Sequence, residues 1–180
     1  MIIKLKSKRI LLREMEEKDW IDVHTYASQP TVCQYQPWGP NTDKESQDFV
    51  KQVILDARQN PRSRFVFSII RQERLIGAGE ISIRDFTHRE GEIGYIINPA
   101  YWGMGYATEA TKLLIEFGFE VLHLHRIFAT CDPRNVASSN VLEKNGMTKE
   151  GRIREDLLLK DGWRDSFLYS ILEHEWITPK

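Results

Sequence analysis

Tyr95-Ile96-Ile97-Asn98-Pro99-Ala100-Tyr101-Trp102-Gly103-Met104-Gly105-Tyr106-Ala107-Thr108-Glu109-Ala110 decides how the chain is read. It begins as an apolar strand, breaks at Asn98-Pro99, crosses a glycine-containing turn and enters a helix. Ala107, Ala110, Leu113, Leu114, Phe117 and Val121 recur at helical spacing, with Lys112, Glu116 and Glu120 elsewhere. Gly103 and Gly105 stand where the backbone must turn sharply, and they project nothing that would block a ligand. Free amides at a helix start carry partial positive charge, so the stretch offers a seat for a phosphate or pyrophosphate. Turn formation alone would also account for the glycines. No Lys-Ser or Lys-Thr follows them, which disfavours a P-loop. Thr108 occupies the third glycine's place of the dinucleotide pattern G-x-G-x-x-G.

Outside this stretch the chain reads as alternating strands and helices. Arg9 to Arg13 is a first strand, and Asp19 is placed to cap a short helix ending at Ala27. Tyr35-Gln36-Pro37-Trp38-Gly39-Pro40 is a stiff aromatic loop, either a packed turn or a wall of a substrate cleft. Thr42-Asp43-Lys44-Glu45 is a capping box opening a second helix, which Asn60-Pro61 stops. Phe65 to Ile70 and Leu75 to Ile83, joined by Arg71 to Arg74, form a hairpin. Gly91 to Ile97 is the strand before the central loop, and Arg126 to Cys131 the strand after the central helix. That order implies a crossover with parallel strands. Ala137 to Lys144 is a short helix ending at Gly146, and Asp161-Gly162 turns a last hairpin. The expected fold class is α/β with one mixed, twisted sheet.

Length and composition agree. A chain of 180 residues, 41% hydrophobic and 28% charged, fits a single globular domain over residues 1–180. A formal net charge of -1 gives no electrostatic reason to expect nucleic acid. Met1 to Lys6 holds no run long enough for a signal peptide or membrane span, so neither a membrane partner nor export is expected. Cys33 and Cys131 lack metal spacing, read as core residues, and suit a reducing cytoplasm. His88, His123 and His125 also lack metal spacing and read as structural.

Trp102-Gly103-Met104-Gly105-Tyr106-Ala107 resembles the acetyl-CoA loop of the GNAT N-acetyltransferase superfamily, written Q/R-x-x-G-x-G/A. Gly105 and Ala107 match its G-x-A part, whereas Trp102 replaces the usual Gln or Arg. A Tyr-Trp-Gly-x-Gly-Tyr-Ala-Thr-Glu-Ala run recurs in the branch that acetylates the amino termini of ribosomal proteins, and the resemblance to that branch covers nearly the whole chain. It implies a GNAT-like three-layer fold and transfer of an acetyl group from acetyl-CoA, without a metal, to a primary amine by direct attack on the thioester. The acceptor is then a protein N-terminus or a small amine. Pantetheine is peptide-like in its amides, so the strand edge at Tyr95, Ile96 and Ile97 suits it, and by the same resemblance an amide near Ile96 or Ile97 faces the thioester oxygen. Trp102, Gly103, Met104, Gly105, Tyr106, Ala107 and Thr108 cradle the phosphates.

Asn135-Val136-Ala137-Ser138-Ser139-Asn140-Val141-Leu142-Glu143-Lys144-Asn145-Gly146-Met147 resembles a second family pattern, N-x-x-(A/S)-x-x-x-(Y/L)-x-K-x-G-(F/M). Much of the superfamily has a tyrosine at Leu142 as general acid to the departing thiolate. In the resembled branch a serine takes over, and Ser138 is its match. Asn135 is an N-cap candidate that in the family also contacts the pantetheine. For the base, a carboxylate is needed near the amine. Family strands often carry a glutamate where Glu92 stands; Glu80 in the neighbouring strand and a water relay are the alternatives. Tyr35, Trp38 and Glu80 are the acceptor-side candidates, and a homodimer through the last hairpin is expected by analogy. The absence of the usual tyrosine leaves a second reading, a CoA-binding sensor without catalysis.

Overall fold

The computed structural model describes residues 3–176. Eight strands form one sheet in the order β1-β2-β3-β4-β5-β6-β8-β7. They are β1 (Lys4–Lys6), β2 (Leu11–Glu14), β3 (Arg64–Arg71), β4 (Arg74–Asp85), β5 (Glu90–Ile97), β6 (Arg126–Cys131), β7 (Thr148–Leu159) and β8 (Gly162–Leu172). The helices are α1 (Trp20–Ala27), α2 (Pro30–Cys33), α3 (Asp43–Asp56), α4 (Tyr106–Glu120) and α5 (Val136–Lys144). Every strand pairing is antiparallel except β5 with β6, which the α4 crossover makes parallel. This is the mixed-sheet α/β GNAT fold that the sequence implied. Among the described residues no helix is long and apolar enough to cross a membrane.

Each face of the sheet buries its own core. On one face, α4 places Ala110, Leu114 and Phe117 over Ile81, Ile93 and Ile127. The helix can approach this closely because Gly118 has no side chain. A Cβ there would lie 2.6 Å from Ile127 Cδ1 and 2.8 Å from Ile81 Cδ1. On the other face, α1 and α3 bring Val23, Tyr26, Val50 and Val53 against Val66, Leu75 and Ala78. The capping box holds: Thr42 accepts from the Glu45 amide, and Glu45 accepts from the Thr42 amide. In the β3–β4 turn, Gln72 and Glu73 both take positive φ (45° and 66°), as a tight hairpin needs.

Two readings need correction. The first strand of the sheet is β1, one strand ahead of the Arg9 to Arg13 reading. Lys4-Leu5-Lys6 is too short and charged to register as a strand by itself, and forms one only by pairing with β2. Asp19 precedes α1 but does not cap it, because its side chain is committed elsewhere, in part to the capping box of the short 3-10 turn Glu17–Asp19. Its carboxylate, 3% exposed, accepts from both Nη atoms of Arg13 at 2.7 and 2.8 Å, from Ser68 Oγ at 2.7 Å and from the Glu16 amide at 2.9 Å. It therefore ties the start of α1 to β2 and β3.

Burial alone would raise the Asp19 pKa, but Arg13, the Glu16 amide and Ser68 outweigh it and hold the group below its ordinary value. A carboxylate that binds its proton less tightly when folded adds stability in full above its unfolded pKa. That stability is lost as pH falls. Thermal melts should show a destabilisation setting in below about pH 4 that Asp19→Asn largely lacks. At neutral pH Asp19→Ala leaves Arg13 with only its longer, 3.8 Å pair to the exposed Glu16 and should cost about 3–5 kcal/mol in urea unfolding.

Candidate functional site

The parallel strands β5 and β6 stay paired over three positions only, Glu90 with Arg126, Gly91 with Ile127 and Glu92 with Phe128. Beyond Glu92 they part. β5 keeps its other edge on β4 as far as Ile97, and β6 keeps its other edge on β8 as far as Cys131. The inner backbone edges of Ile93 to Ile97 and Ala129 to Cys131 thus face a gap. Peptide groups along such an edge seek partners, and an extended amide-bearing ligand supplies them.

Strand alternation sorts the side chains around this gap. Glu92, Gly94 and Ile96 point to the α1–α3 face, together with Glu80 and Ser82 of β4, their cross-strand partners being Gly94 and Glu92. Ile93, Tyr95 and Ile97 point to the α4 face. Helix α5, which follows β6, starts on that same face. Asn135 caps it by accepting from the Ser138 amide at 3.1 Å, as its position in the sequence led us to expect. The Ser138 hydroxyl lies 3.0 Å from the Tyr95 hydroxyl. Leu142, one turn further, is 1% exposed in the core beneath α4.

The two glutamates differ in how they are held. Both oxygens of Glu80 accept from Arg64 at 2.9 Å, and Ser82 donates to Oε1 at 2.7 Å, while Arg64 also holds Asp56 at 3.0 Å. Glu92 is bound through Oε2 alone, to Arg84. Its Oε1 has no hydrogen-bond partner among the described residues. Between the two, Gly94 is exposed, and a Cβ placed on it would meet nothing within 4 Å. The sequence reading passed over Gly94, although a bare position in an otherwise apolar strand marks a close approach.

At the far end of β5 the chain turns into α4. Trp102 folds back and its Nε1 donates to the Ile97 carbonyl at 2.6 Å. Gly103 and Gly105 take φ of +74° and +81°, and Gly105 is the N-cap of α4. Amides from Gly103 to Thr108 meet no acceptor among the described residues. Positive charge gathers beside them. The Arg9 guanidinium donates to the Met104 carbonyl at 3.0 Å and pairs with Glu109 at 2.8 Å. It sits 4.8 Å from the centre of the Tyr106 ring, with Arg71 at 5.5 Å from the same centre. Free amides, a helix start and two guanidiniums make a seat for a diphosphate. The arginines come from β2's approach and the β3–β4 turn, so no local pattern announced them.

Tyr35 and Trp38 part company. Trp38 packs against the α1–α3 core. Tyr35 reaches across to the β6 side, where Arg164 donates to its carbonyl at 3.0 Å and the Arg134 guanidinium lies 5.7 Å from its ring centre. Lys160 donates to the Gly39 carbonyl at 2.6 Å, so the loop leans on the β7–β8 turn. A cleft of about 280 Å³ opens there, lined by Asp132, Arg134, Asp161, Trp163 and Arg164. Cys131 and Cys33 are buried, and burial pushes both thiols above their ordinary pKa, which suits core packing rather than nucleophilic work. His24 joins Ser46 (3.0 Å) to Asp43 (2.8 Å) like a hydrolase triad, but Ser46 is fully buried, so the set only ties α1 to α3.

Comparison with known proteins agrees with this geometry. The model of the acetyltransferase (GNAT) domain matches residues 9–148. The uncharacterised N-acetyltransferase YnaD of Bacillus subtilis is 37% identical over 96% of this chain and 98% of its own length. The spermidine N(1)-acetyltransferase of Escherichia coli is 26% identical over 94% of this chain and 89% of its own. A crystal structure of a GNAT-family acetyltransferase from Bacillus anthracis superposes with a TM-score of 0.84 at 34% identity, covering 96% of this chain and 99% of that one. With its strand gap, amide-lined loop and domain match together, the chain belongs to the GNAT acetyltransferase family.

Proposed function

We propose that this chain, as one domain over residues 1–180, transfers the acetyl group of acetyl-CoA to an acceptor bearing a single amine, such as the α-amine of a peptide N-terminus. The observation that carries this reading is the placing of Glu92 and Ser138 on opposite faces of the β5–β6 gap. Aminolysis of a thioester must take a proton from nitrogen on one side and supply hydrogen-bonding or a proton to sulfur on the other.

The residues present fit acetyl-CoA. The free amides of Gly103 to Thr108, with Arg9 and Arg71, suit its diphosphate. The unpaired edge of Tyr95 to Ile97 suits the amides of its pantetheine, and Asn135 borders the same gap at the start of α5. When bound, acetyl-CoA supplies the acetyl group as a thioester. Glu92, through its free Oε1, takes the ammonium proton of the acceptor. The bare Gly94 leaves room on that face for the amine to reach the gap, with Tyr35 bordering the approach. Ser138 donates from the opposite face toward the sulfur.

The acceptor's charge follows from what the nearby carboxylates are already doing. A polyamine needs several uncompensated carboxylates. Here Glu80 is fully engaged by Arg64 and Glu92 is half engaged by Arg84, while on the far rim Asp132 is taken by Arg134, and Asp161 stands beside Arg164. A single ammonium needs no more than Glu92 offers. Glu80 accordingly serves by holding the floor of the acceptor face.

Four outcomes check this reading. Thiol release across a panel of amines should show a higher kcat/KM for short peptides with a free N-terminus than for spermidine. Absence of turnover with every amine, with acetyl-CoA still binding, would instead support a sensor without catalysis. Glu92→Gln should lower kcat about 100-fold while leaving calorimetric affinity for acetyl-CoA unchanged. Gly105→Val should weaken that affinity at least about tenfold, roughly 1.4 kcal/mol, because a β-branched residue resists positive φ and crowds Arg9. Gly94→Val, by contrast, should raise KM for the amine and leave the acetyl-CoA affinity in place.

A further inference from the structure

The Tyr95–Ser138 contact deserves a role of its own in the chemistry. It is the side-chain bridge that spans the gap between β5 and the element following β6, three residues past the last β5–β6 pair. The bridge lies on the α4 face, the side opposite Glu92. A serine hydroxyl is a good hydrogen-bond donor but a poor acid, because the alkoxide it would leave is far more basic than a thiolate. The position from which many relatives of this fold would supply a phenol is held by Leu142, shut in the core. Tyr95 brings a phenol from the neighbouring strand to Ser138, one turn before Leu142 on the same helix. Its ring packs against the α4 core and its hydroxyl points at Ser138.

We propose that Tyr95 is the terminal proton donor of the reaction, acting through Ser138 as a two-hydroxyl relay. This rests on the function proposed above. As the bond from the acceptor nitrogen to the acetyl carbon forms and the carbon–sulfur bond breaks, the Ser138 hydroxyl gives its proton to the sulfur. In the same movement Ser138 Oγ takes the proton of the Tyr95 phenol. Glu92, having passed the first ammonium proton to solvent, takes the second as the tetrahedral adduct collapses and passes that to solvent too; solvent returns one proton to Tyr95, so the net cycle releases one proton and needs no oxidant or reductant. The relay needs Tyr95 to donate to Ser138 Oγ rather than to the Ser138 carbonyl oxygen 3.5 Å away, which leaves the serine's own hydrogen free to point into the gap. Burial keeps the Tyr95 phenol above its ordinary pKa, only partly offset by Ser138, so it is protonated in the resting enzyme and gives up its proton only as Ser138 Oγ loses its own to the sulfur.

Tyr95→Phe, which removes one oxygen and keeps the ring, is the test. Thiol release at saturating substrates should fall about 10- to 100-fold in kcat, with KM for acetyl-CoA shifting less than about threefold. Ser138→Ala should show a fall of the same order, and the double variant should be no slower than the slower single one. A second readout does not depend on turnover. The NMR signal of the Tyr95 ring, assigned by its loss in Tyr95→Phe, should move when CoA binds, and should lose that response in Ser138→Ala. If wild type turns over and Tyr95→Phe keeps kcat within twofold, or if the two single effects multiply, the relay is wrong while the acetyltransferase reading stands. If Tyr95→Phe melts early, the Ser138→Ala response of the Tyr95 signal still decides the matter. If wild type turns over no amine at all, it is the parent reading that falls.

Discussion

Everything in this structure depends on two parallel strands that stop pairing. Parallel neighbours in a sheet normally satisfy one another's peptide groups along their shared length, and a buried peptide group left without a partner is costly. Here β5 and β6 pair from Glu90 to Glu92 and then separate. The sheet tolerates the opening because each strand is anchored on its outer side, β5 by β4 through Ile97 and β6 by β8 through Cys131. A gap of this kind holds its shape before a ligand arrives, so binding does not have to order it.

The rest of the fold keeps that opening at a fixed width and gives it two chemically different sides. Gly77 lets β4 press against β5 at the open end; a Cβ there would lie 2.2 Å from the Ile96 carbonyl oxygen. Gly118 lets α4 settle on Ile81 and Ile127 beneath the closed end. The Trp102 indole fastens the loop back onto Ile97, which fixes where the unpaired amides of the α4 start point. Strand alternation then does the chemical sorting, since carboxylates at even positions and the phenol at an odd position cannot share a face. Glu92 and the Tyr95 phenol are thereby kept on opposite sides of the gap without any separate device.

Much of this was legible in the chain. The 3.6-residue pattern after Ala107, the glycines at 103 and 105, the Thr42–Glu45 box and the Asn135 cap are local signals, and the structure uses each where it was read. What could not be read depends on contacts between distant segments. Arg9 and Arg71 meet at Tyr106 from opposite ends of the first half of the chain. Asp19 looked like a helix cap because local sequence offers no sight of Arg13 and Ser68, whose pull wins over the helix amides. By strand alternation alone Glu80 and Glu92 read alike, and only the family resemblance favoured Glu92. In the structure their pairing partners, Arg64 on both oxygens of one and Arg84 on one oxygen of the other, tell them apart.

That last distinction bears on how selective the acceptor side can be. An ion pair that uses both carboxylate oxygens, such as Arg64 with Glu80, fixes a wall and leaves little charge for a substrate to sense. A carboxylate bound at one oxygen keeps an acceptor site facing outward while its partner sets its direction. The side chain of Arg84 is more than half exposed, so water weakens its hold on Glu92 more than it weakens that of Arg64 on Glu80, whose side chains are each about a third exposed. On the proposed reading, selectivity for a single amine would come from the geometry of one open oxygen above an empty glycine, rather than from a pool of negative charge. Charge alone would favour polycations whatever their shape; one oriented acceptor favours whichever amine the surrounding walls let through.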